Sequence, residues 1–122
     1  MAVQTSKELV HKQCTPCEGD LATVKRPAAI AQLKKLPGWR MTHAGERIRK
    51  DWVVKNFAAG LEFFDRVGQV AEKEYHHPDL HLEGFRNVWI ELSTHAIGGL
   101  SDNDFILAAK IDKLPIKRKK SK

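Results

Sequence analysis

The sequence predicts an α+β domain: an antiparallel four-stranded sheet with three helices packed on one face. Three observations carry this expectation. Apolar residues recur at 3–4 spacing from Phe57 to about Tyr75, as in a long amphipathic helix. Two stretches of alternating polarity, residues 39–55 and 80–94, each break at a short turn and read as strand pairs. A third helical pattern opens at Ser101 with a capping-box-like start, Ser101-Asp-Asn-Asp104. With a leading helix after Pro27, the order is helix, two strands, helix, two strands, helix.

Taken in order, residues 1–26 show no sustained periodicity and are expected to form a largely irregular arm. Within it, His11 precedes Cys14-Thr-Pro-Cys17. There is no third cysteine for a zinc site and no βαβ context for a redox motif, so the pair reads as two reduced thiols in a mobile arm. Pro27 suits the first position of a helix. Ala28, Ala29, Ile30, Ala31, Leu33 and Leu36 give that helix an apolar side, Lys34 and Lys35 a wet one, and Pro37-Gly38 ends it.

Trp39 to His43 reads as the first strand and Arg47 to Lys55 as the second, with Ala44-Gly45-Glu46 between them. Ile48, Trp52 and Val54 share one parity, interrupted by Lys50, whose stem is expected to pack while its head reaches water. In the long helix Phe57, Leu61, Phe64, Gly68 and Ala71, broadened by Val67 and Val70, are the expected core stripe. Leu80 to Phe85 and Val88 to Thr94 pair around Arg86-Asn87. Val88, Ile90 and Leu92 then bury one face, and Trp89, Glu91, Ser93 and His95 point the other way. The last helix has the apolar set Phe105 to Ala109 with Ile111, and Asp104 complements its first-turn dipole. The expected organisation is an arm at 1–26, one domain at 27–113 and a basic tail at 114–122. Within these, residues 1–20 and 115–122 are expected to be dispensable for chemistry.

The net charge of +6 is confined to the end of the chain. Residues 1–112 carry 15 Lys+Arg and 15 Asp+Glu, so the folded body is formally neutral and nucleic-acid binding is not expected. The run Pro115 to Lys120 has the composition of a nuclear-import signal, but its simplest reading is a solvated tail. No apolar run approaches the length of a membrane span, and the start has no apolar signal core, so no membrane association and a cytoplasmic location, with nuclear entry open, are the expectations.

The segment from Glu72 to Asp104 holds four of the six histidines, His76, His77, His81 and His95. Pro78 pushes His77 out of the α region, so His76 and His77 stand where a helix must stop. Glu72 lies four residues before His76 and, on a continuing helix, would share its face. Imidazoles beside a carboxylate suit acid–base work near neutral pH. Adjacent His76 and His77 diverge at an extended bend, which makes them poor partners on one metal ion, although His77 with His95 stays open. No metal is expected.

Glu72-x-x-x-His76-His77-Pro78, followed by Phe85, Ser93-Thr94-His95 and Asp104, resembles the signature of pterin-4a-carbinolamine dehydratases. Leu36-Pro37-Gly38-Trp39, Asn56-Phe57 and Ala71-Glu72-Lys73 resemble the same family, and the match runs from about Leu33 to Asp112. The resemblance implies the same α+β layout and assembly into homodimers or homotetramers. It implies a hydro-lyase acting on a pterin substrate, with no cofactor, in tetrahydrobiopterin-type recycling. By resemblance, His76 and His95 are the acid and base, with the assignment open. His77 orients the pterin, and Glu72 partners His76 or binds a pterin N–H. Phe85, Ser93, Thr94 and Asp104 complete the implied substrate-binding set. The alternative is a protein-binding module, because some relatives serve as dimerisation cofactors for a homeodomain transcription factor.

Overall fold

Asn56 starts the longest element: its side-chain oxygen accepts from Ala59 N–H at 2.9 Å, and the helix runs from Phe57 to Glu74. In the computed structural model, which describes residues 3–15 and 22–120, this helix is α3. The others are α1 (Ser6–Val10), α2 (Arg26–Leu33) and α4 (Asp102–Asp112). The strands are β1 (Arg40–Thr42), β2 (Arg47–Val53), β3 (Asp79–Glu83) and β4 (Asn87–Leu92). They form one antiparallel sheet in the order β1-β2-β4-β3, as the α+β expectation required. The helix α1 is an addition to the expected set.

The register brings Ile48 opposite Leu92 and Trp52 opposite Val88, and these side chains with Ile90 and Val54 are buried on one face of the sheet. The helix α3 approaches that face closely at Gly60. A Cβ there would stand 3.3 Å from the Leu82 side chain and 3.4 Å from Val54, so the helix sits where a larger residue would push it away. The opposite face carries Arg49, Asp51, Glu91 and His81, with Trp89 sandwiched between the His81 ring and the Arg49 guanidinium.

The buried stripe of α3 is Ala59, Gly60, Phe63, Val67 and Ala71, rotated about a quarter-turn from the expected one. Phe57 and Leu61, expected in the core, are half exposed, and Gly68 has nothing packed near it. The reason lies in the partners: Phe63 makes an edge contact with Trp52 at 5.1 Å, and Trp52 another with Trp39 at 6.0 Å. That aromatic chain fixes the helix rotation, and a single stripe of sequence does not contain it.

The head of Lys50 is paired as well as partly accessible. Its Nζ lies 2.9 Å from Asp112 Oδ1, and the same carboxylate accepts from Trp39 Nε1–H. A lysine on the core face is thus matched by an acid at the end of α4.

The arm departs most from expectation. Thr5 and Glu8 form a capping box around α1, and Leu9 is fully buried in the core. Gln4 N–H donates to Gln32 Oε1 and Gln32 Nε2–H donates back to Gln4 O, so a buried amide is satisfied by the arm. Cys14 N–H donates to Glu74 at 2.8 Å, and Thr15 exchanges two hydrogen bonds with Asn103. Cys14 is therefore docked, not mobile: burial, then the neighbouring Glu74 charge, pushes its thiol up to about 12. Cys17 lies outside the described residues. The tail is also engaged through its backbone: Lys55 N–H donates to Lys117 O and Lys119 N–H to Val53 O, covering the end of β2 that short β1 leaves unpaired.

Candidate active site

The helix α3 ends because Tyr75 adopts a left-handed conformation, φ +53°, and Pro78 forbids continuation. The chain reverses there, and Glu72 and His76 no longer share a helical face. Glu72 Oε2 instead pairs with His77 Nε2 at 2.8 Å on the exposed side. His76 turns inward, almost fully buried, and its Nε2 lies 2.6 Å from Asp104 Oδ1. The expectation that Glu72 partners His76 is thus corrected: the sharp turn at Tyr75 exchanges the two histidines.

Asp104 has no exposed surface and is not among the residues that line the cleft around the histidines. Its Oδ2 accepts from Thr94 Oγ1–H at 2.8 Å and from Ser101 N–H at 3.0 Å, while Oδ1 faces His76. One carboxylate therefore caps α4 and fixes a histidine. Thr94 is likewise fully buried and bonded to Ser101 and Asp104. Asp104 belongs to the support beneath the site rather than to a surface that touches ligand. Phe85 lies at the tip of the β3–β4 hairpin, exposed, with the Arg86 guanidinium over its ring, and does not line the cleft.

A cleft of about 390 Å³ opens over this support, lined by His76, His77, Pro78, Asp79, Ser93 and His95 among others. His95 is exposed at the start of a 3-10 turn, His95–Ile97, which backbone bonds between Thr94 and Gly99 hold against the end of β4. Three elements deliver the histidines: the end of α3, the first residues before β3, and the exit of β4. A second cavity, about 150 Å³, adjoins the first and shares Ser93 and His95 with it; Glu46, Arg47, Thr94, Gly98 and Gly99 complete its walls. Asp79, Glu46 and Arg47 were not anticipated. Asp79 is signalled only by following His-His-Pro, and Glu46 and Arg47 lie in a turn and strand remote in sequence.

Among the described residues, no group of three or more His, Cys, Asp or Glu is arranged to hold a metal ion. The cleft gathers the imidazoles of His76, His77 and His95, with a buried carboxylate orienting His76.

Residues 22–114 match the model of the family described as pterin 4 alpha carbinolamine dehydratase. The chain is 48% identical over 112 residues to the Arabidopsis thaliana protein named pterin-4-alpha-carbinolamine dehydratase 2, mitochondrial. That match covers 89% of this chain and 60% of the plant protein's length. A protein of Dechloromonas aromatica, provisionally given the same activity by name, is 44% identical over 110 residues, covering 90% of this chain and 96% of its own. The crystal structure of a transcriptional coactivator/pterin dehydratase from Brucella melitensis superposes with a TM-score of 0.69 at 25% identity, covering 75% of this chain and 96% of that one. A family match over most of the chain, and relatives this similar, mean that the chain belongs to the pterin 4 alpha carbinolamine dehydratase family.

Proposed function

We propose that this protein dehydrates 4a-hydroxytetrahydropterins to the quinonoid dihydropterin and water, in the recycling of a tetrahydrobiopterin-type cofactor. The observation that carries the reading is the convergence of His76, His77 and His95 on one cleft, with His76 braced by buried Asp104. In the reaction the lone pair of ring nitrogen N5 forms a C=N bond to C4a. The C4a–O bond breaks, the departing hydroxyl gains a proton to leave as water, and N5 loses its proton. The balance needs one acid and one base, and no oxidant or metal.

His76 and His95 are the proton-exchanging pair in this reading, and their separate origins at the end of α3 and the exit of β4 allow them to flank a ring. His77, tied to Glu72 at 2.8 Å, is the positioning histidine. General acid–base help of this kind contributes roughly 10²–10⁴-fold, which suits a reaction already assisted by the nitrogen lone pair.

The test is turnover of a synthetic 4a-hydroxytetrahydropterin by chelator-treated protein, with His76→Ala and His95→Ala alongside and circular dichroism on each sample. Either variant is expected to lower kcat by roughly 10–10⁴-fold while folded. His77→Ala is expected to act more through KM. Near-full turnover by both folded His76 and His95 variants would sink the assignment, and activity lost on chelation and restored by one metal would replace it with metal chemistry.

A further inference from the structure

The basic residues near the end of the chain belong to the folded surface. Leu114 and Ile116 pack against the core, and Arg118 is bridged antiparallel to Val54. Lys55 N–H donates to Lys117 O and Lys119 N–H to Val53 O, both at 2.9 Å, so backbone bonds hold this segment against the end of β2. The same edge continues into the tip of the β3–β4 hairpin. Val54 N–H donates to Arg86 O, and the Arg86 guanidinium donates back to Lys55 O. Lys55, Arg86, Lys117, Arg118, Lys119 and Lys120 are thereby gathered at one end of the sheet. Phe85 stands beside them, 57% exposed, with the Arg86 guanidinium 5.0 Å from its ring centre. The histidine cleft lies at the other end, where β3 begins and β4 exits.

We propose that this end of the sheet binds single-stranded nucleic acid, with the docked basic segment on the phosphates and Phe85 against a base. Charge is the first support. The neutrality of residues 1–112 argued against such a partner only while the excess lay in a solvated tail; once docked, that excess is a patch on the fold. Among the described residues, Lys117 alone of the six cations meets a carboxylate, Glu62 at 3.7 Å, which is also held by Arg66 at 2.7 Å. Glu83, at the end of β3, is the other acid next to the hairpin tip. The remaining ammonium groups are exposed and can exchange counterions for phosphates.

Spacing is the second support. An extended segment sets Lys117 and Lys119 about 7 Å apart, comparable with the repeat of an extended phosphodiester chain, so alternate side chains can meet successive phosphates. The third is the aromatic ring. Phe85 adopts φ +53°, which glycine or asparagine reaches at lower cost, so the turn itself does not call for phenylalanine. Its ring lies neither in the core nor in the cleft. Beside a guanidinium and a row of lysines, an exposed ring is a stacking platform for an unpaired base. A duplex keeps its base faces stacked inside, so the ring selects single strands.

The experiment measures fluorescence anisotropy of labelled oligo(dT) and oligo(U), each about 16 nucleotides long, with the full chain. A duplex of the same length and heparin are the competitors. Binding of either single strand is expected to exceed that of the duplex, and the stronger of the two names DNA or RNA as the source. Affinity is expected to fall by roughly tens-fold between about 50 and about 200 mM salt, the slope for about four phosphate contacts on a single strand. The Lys117→Gln/Lys119→Gln double variant, which keeps the backbone pairing, is expected to bind at least tenfold more weakly with a shallower salt slope. Phe85→Ala is expected to lose roughly five- to a hundredfold with the slope unchanged, and to bind heparin as the wild type does. Circular dichroism on each variant checks folding, and the wild-type comparison of strands stands without them. Preference for duplex, heparin binding as tight as that of either single strand, or a folded Phe85→Ala protein with wild-type affinity would overturn the proposal. So would absence of binding to both single strands at the lower salt.

Discussion

His76 Nε2 and Asp104 Oδ1 lie 2.6 Å apart in the interior, 28 residues apart in sequence, at the junction of α3 and α4. A carboxylate accepts, so the contact places a proton on His76 Nε2 and fixes the ring in one tautomer and one orientation. The same carboxylate holds Ser101 N–H and the Thr94 hydroxyl, so the cap of α4, the exit of β4 and the end of α3 are tied at one residue. The position of the histidine is therefore a property of three elements.

From this tie, Asp104→Asn is expected to lower kcat at least tenfold while leaving KM within about twofold, because the ring loses its fixed tautomer while the cleft lining is unchanged. The amide keeps the shape of the residue and one acceptor for Ser101 N–H. A purely structural role would instead lower the melting temperature without moving the pH–rate profile. Measuring kcat against pH and thermal unfolding on the same preparation separates the two, and wild-type kcat in a folded variant would remove Asp104 from the site's support.

How much of this was legible follows from distance along the chain. The sheet, three helices and the three cleft histidines rest on local signals: period 2, period 3.6 and a proline after paired histidines. The exchange of partners between His76 and His77 was not legible, because it depends on Tyr75 adopting φ +53°, which no local pattern requires. The role of Asp104 was half legible: its place in a helix's first turn is written in Ser101-Asp-Asn-Asp104, but its contact with His76 is tertiary. Lys50 and Asp112 show the same limit, since a lysine on the core face announces a problem and not its solution. The arm was missed for a different reason. A five-residue helix is too short for periodicity, and only Thr5-Ser-Lys-Glu8 signalled its start.

That arm is expected to be structural, against the expectation that it is dispensable. Leu9 has no exposed surface, so Leu9→Ala is expected to cost about 2–5 kcal/mol. Thr5→Ala, which removes a cap on the same short helix, is expected to cost about 1 kcal/mol. Urea unfolding followed by tryptophan fluorescence measures both. A midpoint for Leu9→Ala equal to that of the wild type would show that the core closes without α1.

The last prediction concerns Glu74, where the arm, α3 and α4 meet. Burial works to raise its pKa and is the largest single influence, but the Cys14 N–H bond and the Lys110 ammonium at 2.9 Å outweigh it, so the carboxyl is held below its usual range. A depressed carboxylate stabilises the fold through its charged form. That contribution is fully present above the ordinary carboxylate pKa and is lost as pH falls through the lower, folded-state value. Glu74→Gln keeps the side chain's shape and removes the charge, so at pH 7 it is expected to cost about 1.5–3 kcal/mol, the range for hydrogen bonds to a charged group. As the pH is lowered below the ordinary carboxylate range, the wild-type carboxyl itself becomes protonated and the gap between the two proteins should close. Urea unfolding of wild type and Glu74→Gln at pH 7 and at successively more acidic values is the measurement. A gap that is constant, or widens toward acid, would show that packing and not charge joins the arm to α3 and α4.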